Sequence, residues 1–319
     1  MDTERDNQPI DQAAAMQAMQ YIRPANRFDR TGFPKCTEEF ICKKTDKKLN
    51  LSLLITENHA HMRIVDYRLG QYKLKCSIFD QMAANRSLKK VFTLVEKQDS
   101  NSWRTVGFSK EAVIPGYFRN ADAYIMSRVY DQDGKPVTGG LAKLVHDKGA
   151  EFEKAAPPLK KPNGLKTEII DDPEHLKEIV NSKDAHYCYN PFGIGVTTPQ
   201  LIIEAKIGKR NLWVGGEVNE AFGHAKVDVL SAPKNAKERR CLSWMLILLL
   251  EELVETFDVS SIFGFSLVED SGIGQIFTDA SFKMTGQLSR HMLTSDGKTS
   301  DAFMWHRKAY RGNIRPAGE

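Results

Sequence analysis

The sequence has few cysteines, no long apolar run and no large excess of charge of one sign. Its five cysteines in 319 residues are an odd number without a regular framework, which argues against a disulfide-stapled secreted scaffold and predicts reduced thiols. The longest apolar run, residues 242–250, is too short to span a bilayer, so no membrane contact is expected. The net charge of +4 is too small to indicate a nucleic-acid-binding protein.

Secretion and metal binding lack sequence signals as well. The first residues are polar and acidic, without the basic-then-apolar pattern of a signal peptide, and we therefore expect a cytoplasmic protein. His59 and His61 form a His-x-His pair with no further ligand at matching spacing, and His224 and His306 stand alone. We predict no metal site from them, and expect core or surface positions for His224 and His306.

Composition and apolar patterning indicate a globular protein in four parts. The apolar content of 41% and charged content of 27% are typical of folded domains. Residues 1–45 are predicted to be an arm, 46–133 an N-terminal domain, 134–165 a linker rich in Gly, Pro and Lys, and 166–312 a C-terminal domain. Strands alternate with helices in both domains, which predicts an α/β (α+β) protein with mixed sheets.

Two local patterns carry the element assignments. Residues 72–78 alternate apolar and polar side chains and are predicted to form a strand, followed by a helix over residues 79–89. In the C-terminal domain the predicted order is strand, loop, helix, strand, helix, strand, strand. The corresponding segments are residues 224–230, 233–240, 241–257, 260–267, 274–281, 284–293 and 302–308.

Three segments resemble the signatures of one enzyme family, in the same order along the chain. Residues 106–127 read VGFSKEAVIPGYFRNADAYIMS, residues 276–288 read IFTDASFKMTGQL, and residues 301–306 read DAFMWH. They resemble the signatures of beta-lysine N-acetyltransferases. The resemblance implies the GNAT superfamily, with two GNAT-like halves in tandem. It also implies an N-acyltransferase that moves an acyl group from a thioester donor to an amine of an amino acid or peptide-like substrate.

The connection that the resemblance assigns to the donor's phosphates contains no glycine. It reads PKNAKERRC over residues 233–241, where the family has a Gly-rich loop whose backbone N–H groups face the phosphates. Glycine matters there because a Cβ would keep the backbone away from the phosphates. A second departure is Gly274, where the family has Asn. The donor contacts that the resemblance implies are Leu230, Ala232, Lys237, Arg239, Arg240 and Gly274.

The basic residues of this connection leave two interpretations open. Side-chain charge could hold a phosphate in place of backbone amides, either of an acyl-CoA or of the phosphopantetheine-linked acyl group of an acidic acyl carrier protein. Alternatively, the connection is solvated surface, and the chain is a catalytically inactive GNAT-derived binding or assembly protein. The strand-rich first half could also form a homodimer face.

Glu217 and Asp228 are the candidate general bases. Carboxylates on strands beside a GNAT-type cleft can deprotonate an attacking amine, directly or through a water molecule. Cys241 is a candidate nucleophile, because we expect it in the first turn of a helix, where the pKa of a thiol can fall.

Overall fold

The chain forms two compact units. The computed structural model describes residues 22–25, 37–43, 50–56, 59–67, 72–137, 159–182, 185, 191–192, 199–294 and 297–310. The first unit contains residues 1–94, 98–110 and 126–138, and the second contains residues 95–97, 111–125 and 139–319. None of the helices in the described ranges is long and apolar enough to cross a membrane. The expected linker lies largely outside these ranges.

The first sheet has seven strands in the order β1-β2-β3-β4-β5-β7-β6. β4 and β5 run parallel, and β1 and β2 fall within the range expected to be an arm. The strands are Ile22–Ala25, Thr37–Lys43, Asn50–Thr56, His61–Tyr67, Lys90–Val95, Ser109–Ile114 and Ala123–Val129 (β1 to β7). Helix α1, Tyr72–Asn85, follows β4, and helix α2, Lys97–Arg104, follows β5.

The second sheet also has seven strands, in the order β13-β14-β12-β11-β10-β9-β8. Here β11 and β12 run parallel. The strands are Thr167–Ile170, Leu201–Ile207, Arg210–Asn219, His224–Val229, Ser261–Leu267, Lys283–Leu293 and Thr299–Lys308 (β8 to β14). The helices are Pro173–Val180, Ala236–Phe257 and Ser271–Asp279 (α3 to α5).

The two sheets repeat one topology. When the strands of each sheet are counted from its own first strand, both orders become 1-2-3-4-5-7-6. In both, the fourth and fifth strands are parallel and a helix connects them. The expected fold class, a mixed α/β sheet protein built as two GNAT-like halves in tandem, is therefore confirmed. The predicted order strand, loop, helix, strand, helix, strand, strand is also present in the second half.

The core of the second unit lies between α4 and one face of the second sheet. α4 is apolar on nearly all sides, because it packs against β9, β10 and β11 as well as α5. Twelve of its side chains are buried. Two of the twelve, Glu238 and Ser243, are polar, and the Ser243 hydroxyl donates to the Arg239 carbonyl and the Asp279 carboxylate, both at 3.0 Å. The helix ends at Asp258, whose φ of 53° breaks the helical path.

The strand predicted over residues 72–78 is wrong, because this segment belongs to α1. Its alternation of apolar and polar residues continues into a helical pattern: Cys76, Phe79 and Ala83 are all buried, at spacings of three and four. Burial of apolar residues along one face of a helix therefore outweighs a short alternating pattern that is typical of a strand. The helix also ends at Asn85, earlier than predicted.

Candidate functional site

The two parallel strands of the second sheet separate at their carboxyl ends. β11 and β12 pair from His224↔Ser261 to Val227↔Gly264, and their later residues, all of them described, have no register partner in each other. β11 still pairs with β10 up to Val229, and β12 with β14 up to Leu267. The sheet therefore opens between β11 and β12.

Gly264 permits close packing at the point where the opening begins. A Cβ at this position would lie 2.6 Å from a ring carbon of Phe277 and 2.7 Å from the carbonyl oxygen of Val227. Phe277 belongs to α5 and is fully buried. The missing side chain thus lets α5 pack directly on the last residue of β12 that pairs with β11.

The structure brings the two predicted bases to one face of the second sheet. Glu217 on β10 is the register partner of Lys226 on β11, and Asp228 is two residues further along β11. Register partners share a face, as do residues two apart on one strand. Ala225 and Val227, which alternate with Lys226 and Asp228, belong to the core with α4. Both carboxylates therefore lie on the face opposite α4.

A buried ammonium group holds one of these carboxylates. Lys226 Nζ donates to Asp228 Oδ2; the lysine side chain is 1% exposed, whereas that of Asp228 is 17% exposed. Burial of an ammonium is tolerated only when it is paired and hydrogen-bonded, so this contact fixes the position of the Asp228 carboxylate. Asp228 is also the first residue of β11 beyond its pairing with β12, and its carboxylate therefore lies at the opening.

The glycine-free connection is shorter than predicted, because α4 begins at Ala236. Lys237, Arg239 and Arg240 are consequently helical residues. Asn235 is the N-cap, and its side-chain oxygen accepts from the Glu238 N–H at 2.9 Å. An Asn cap with Glu at the third helical position is a known helix-start pattern, and it was present in the sequence within a stretch assigned to a loop.

A buried carboxylate closes the first turn of α4. Glu238 Oε2 accepts from the backbone N–H of Lys234 at 2.9 Å and from Arg210 Nη1 at 2.6 Å. The residue is only 7% exposed. The first turn of α4 is therefore occupied by an acidic side chain of this chain.

Four basic side chains surround this closed turn. Lys234, Lys237 and Arg240 are exposed, and Arg239 is half-buried. Their side chains form no hydrogen bond or ion pair with any residue that the structure describes. They present positive charge to solvent, while Arg210 is already used by Glu238.

The remaining predicted donor residues are buried or half-buried. Leu230 is 1% exposed, and its N–H donates to the Trp213 carbonyl at 3.0 Å. Ala232 is half-buried. Gly274 is buried within α5, where its carbonyl accepts from Thr278 Oγ1 at 3.1 Å. The start of α5 also lies beside the connection, since a Cβ at Gly272 would be 3.3 Å from Pro233 Cγ.

The expectation of a low thiol pKa at Cys241 is wrong. The residue lies beyond the first turn of α4 and is 1% exposed. Burial raises the pKa of this thiol, and the Glu238 charge adds to that effect; the charges of Lys237 and Arg240 lower the pKa but do not outweigh burial. The thiol is therefore a core side chain rather than an activated nucleophile.

A stacked Tyr–His pair lies on the same face as the carboxylates. The rings of Tyr117 and His224 are 4.1 Å apart and inclined by 20°, and His224 Nδ1 donates to the Tyr117 carbonyl at 2.9 Å. Phe263 packs against both rings. Burial lowers the pKa of His224 to about 4, so it is neutral near pH 7. Sequence reasoning treated this histidine as isolated, because its partner is 107 residues away in the chain.

His306 belongs to a second buried contact on this face. Ser261 Oγ donates to the Pro115 carbonyl at 2.6 Å and lies 3.2 Å from His306 Nε2. Burial lowers the pKa of His306 to about 4. Of the core and surface positions expected for His224 and His306, the structure shows core positions for both. Within the described ranges, no three or more His, Cys, Asp or Glu side chains are grouped as they would be to hold a metal ion.

No family model matches the chain, and no curated protein matches it. Solved structures do match. A ribosomal-protein-alanine N-acetyltransferase from Escherichia coli is 14% identical, covering 48% of this chain and 97% of that chain, with a TM-score of 0.34. A spermidine N-acetyltransferase variant from Vibrio cholerae is 12% identical, covering 52% and 88%, with a TM-score of 0.30. RimJ from Mycobacterium smegmatis, in complex with CoA-disulfide, is 15% identical, covering 36% and 56%, with a TM-score of 0.31.

Similarity at this level assigns neither a substrate nor a donor to the chain. The fold assignment rests on the strand order of its own two sheets. The chemistry of the site rests on the residues at the opening between β11 and β12.

Proposed function

We propose that the chain is an N-acyltransferase that moves an acyl group from a thioester to the amine of an amino acid or peptide-like substrate. The observation that carries this proposal is the opening between β11 and β12. Glu217, Lys226 and Asp228 lie beside it on one face. An opened sheet gives a thioester arm unpaired backbone groups to contact, and carboxylates at its edge suit a cationic amine.

The proposed reaction is direct transfer. The neutral amine attacks the thioester carbonyl, so that a C–N bond forms and the C–S bond breaks. Asp228 accepts the amine proton, directly or through water, and the departing sulfur takes up a proton to leave as a thiol. Backbone N–H groups at the opening would stabilise the tetrahedral oxyanion.

Lys226 and Glu217 have supporting roles in this proposal. Lys226 is a positioning residue, because its buried ammonium fixes the Asp228 carboxylate at the end of strand pairing. Glu217 is 9% exposed and lies across from Lys226, one register step before the opening. It adds negative charge that favours an incoming ammonium group, and it is the second candidate base.

The thioester donor is an acyl-CoA or an acyl group on phosphopantetheine. Leu230, Ala232 and Gly274 are the residues proposed to line its path, with Lys237, Arg239 and Arg240 near its phosphate. Cys76 and Cys241 are free thiols, which agrees with a reaction in the cytoplasm. A homodimer remains a prediction from the strand-rich first half.

A transfer assay on the full chain tests the proposal. Acetyl-CoA, longer acyl-CoAs and acyl-phosphopantetheine would each be mixed with a panel of amino acids, diamines and short peptides. Thiol release and the mass of the acylated amine would be measured together. We expect amide formation that depends on both substrates. Absence of amide with every pair would contradict the proposal and favour a catalytically inactive GNAT-derived binding or assembly protein.

A further inference from the structure

Glu238 occupies the end of α4 to which the resemblance assigns the phosphates of the donor. Its carboxylate has two specific partners, the Lys234 N–H and the Arg210 guanidinium. The side chain is almost completely removed from solvent. This arrangement depends on the fold, because its residues come from three separate segments: β10, the connection and α4.

An internal carboxylate and a bound pyrophosphate would compete for the same positive potential. The N-terminus of a helix carries about half a unit of positive charge and a few free N–H groups. Glu238 uses the Lys234 N–H, while Asn235 accepts from the Glu238 N–H. The Arg239 N–H is bonded to the Asn235 carbonyl at 3.0 Å. The N–H groups of Ala236 and Lys237 have no hydrogen bond to any residue that the structure describes. A pyrophosphate would meet these two donors together with the Glu238 carboxylate, which already binds the Arg210 guanidinium.

The positive charge of this region is instead carried by side chains that face solvent. Lys234, Lys237 and Arg240 are exposed around the closed turn. Long cationic side chains steer an oppositely charged protein surface toward them and do not need a close backbone approach. Their charges are therefore available to an acidic macromolecular partner.

We propose that Glu238 excludes the nucleotide pyrophosphate and that the donor is a phosphopantetheine thioester on an acidic carrier protein. This inference rests on the proposed acyl transfer, which it narrows to one donor class. The carrier supplies acidic surface to the basic side chains, and the pantetheine arm enters the opening between β11 and β12. The reaction leaves the carrier with a free pantetheine thiol and the acceptor with an amide.

Binding measurements test the exclusion without any need for turnover. Calorimetry on the full chain would compare CoA, adenosine 3′,5′-bisphosphate and phosphopantetheine. We expect CoA and phosphopantetheine to differ by less than threefold in Kd, and no binding of the bisphosphate at 1 mM. Binding of CoA at least tenfold tighter than phosphopantetheine would overturn the inference.

The matched variants are Glu238→Ala and Glu255→Ala. Glu255 is an exposed residue of the same helix and serves as the control. Removing the Glu238 carboxylate frees the Arg210 guanidinium and the Lys234 N–H. We therefore expect the affinity for CoA, relative to that for phosphopantetheine, to rise at least tenfold. Glu238→Gln keeps the size of the side chain and removes its charge, and its relative affinity for CoA should rise by a smaller factor. It keeps the test valid if the Ala variant fails to fold. Unchanged preference in both Glu238 variants would overturn the role of this residue.

The carrier partner is tested by fluorescence anisotropy with a labelled, phosphopantetheinylated acyl carrier protein. The double variant Lys237→Glu/Arg240→Glu should weaken its binding at least tenfold, whereas Lys209→Glu, on the exposed β9–β10 turn, should change it less than twofold. Absence of carrier binding to the wild type would overturn this part. If binding follows expectation while no amine is acylated, the donor inference stands and the proposed transfer fails.

Discussion

The two sheets share a strand order but differ in chemistry at the point where their parallel strands separate. Pairing ends at Ile64↔Thr93 in the first sheet and at Val227↔Gly264 in the second. The next residue on the preceding strand is Val65 in the first sheet and Asp228 in the second. The first sheet therefore has an apolar side chain where the second has its best candidate base.

The register partner across the sheet differs in the same way. Arg63 of β4 lies opposite Leu54, whereas Lys226 of β11 lies opposite Glu217. Both sheets thus place a cation one residue before pairing ends, but only the second surrounds it with carboxylates at these positions. The comparison teaches that a shared topology does not bring shared side chains, and that the candidate acid–base groups lie on the second sheet.

Substitution of the carboxylates should have the largest effect. Asp228→Asn removes the proposed proton acceptor, and we expect kcat/KM to fall about 10²- to 10³-fold. Glu217→Gln, further from the opening, should cost about tenfold, because it removes charge that favours the amine. The measurement is the initial rate of amide formation.

Two controls sharpen this comparison of the sheets. Glu220→Gln, on an exposed turn of the second unit, and Val65→Ala, at the matching position of the first sheet, should each change kcat/KM less than threefold. A variant Asp228→Asn with more than a third of the wild-type rate would contradict the assignment of the base.

Acid should destabilise the second unit more than the first. Burial lowers the pKa of His224 and His306 to about 4 in the second unit and that of His59 to about 4 in the first. Below pH 6.5 these histidines bind protons in the unfolded chain but remain neutral in the folded chain. Their contribution to the free energy of unfolding is therefore complete above pH 6.5 and decreases as the pH falls to about 4. Each histidine contributes up to roughly 3 kcal/mol.

Hydrogen exchange of peptides from each unit, corrected for the intrinsic pH dependence, measures this difference. We expect protection in the second unit to fall further between pH 7 and pH 4.5. His224→Phe keeps a ring against Tyr117 and should remove about half of the second unit's pH dependence. Equal losses in both units would count against the two buried contacts as the cause.

A smaller effect, on stability, is expected at the last residue of each fifth strand that pairs with the fourth strand of its sheet. Gly264→Ala forces a methyl group against Phe277 and the Val227 carbonyl, and should cost about 1–3 kcal/mol. In the first sheet, Thr93 occupies the matching position, and its Oγ1 donates to the Ile64 carbonyl at 3.1 Å. Thr93→Gly should cost about 1–2 kcal/mol through the lost hydrogen bond and greater chain entropy.

Urea denaturation of both variants checks this pair of predictions. A side chain should stabilise the fold at position 93 and destabilise it at position 264. A stabilising Gly264→Ala variant would show that α5 does not need its close approach to β12.

The order of elements in the second half was predictable because its apolar segments are distinct and separated by polar ones. Helix α4 and strands β12 to β14 follow from them, since tertiary packing agrees with local periodicity. The predicted start of α4 was five residues too late: the helix was predicted to begin at residue 241 and begins at Ala236. The cap formed by Asn235 and Glu238 lies inside a charged stretch whose lack of apolar residues resembled a loop.

The contacts across the chain could not be predicted from one sequence. The Tyr117–His224 stack joins residues from a turn and a strand that no local pattern connects. The role of Glu238 depends on Arg210, which lies 28 residues earlier on β10. In contrast, Glu217 and Asp228 could be chosen as candidates because both are carboxylates on predicted strands. That they share one face follows from the β10–β11 register, which the structure supplied.

The most direct test of the central claim is the mass of the amine product in reactions of the wild type and of the double variant Glu217→Gln/Asp228→Asn. Both proteins would be given the same acyl-phosphopantetheine donor and amine panel, and their folding would be checked by thermal unfolding. The account predicts an acylated amine from the wild type and at least 10³-fold less from the double variant. Equal amounts of product from both proteins, or none from the wild type, would contradict it.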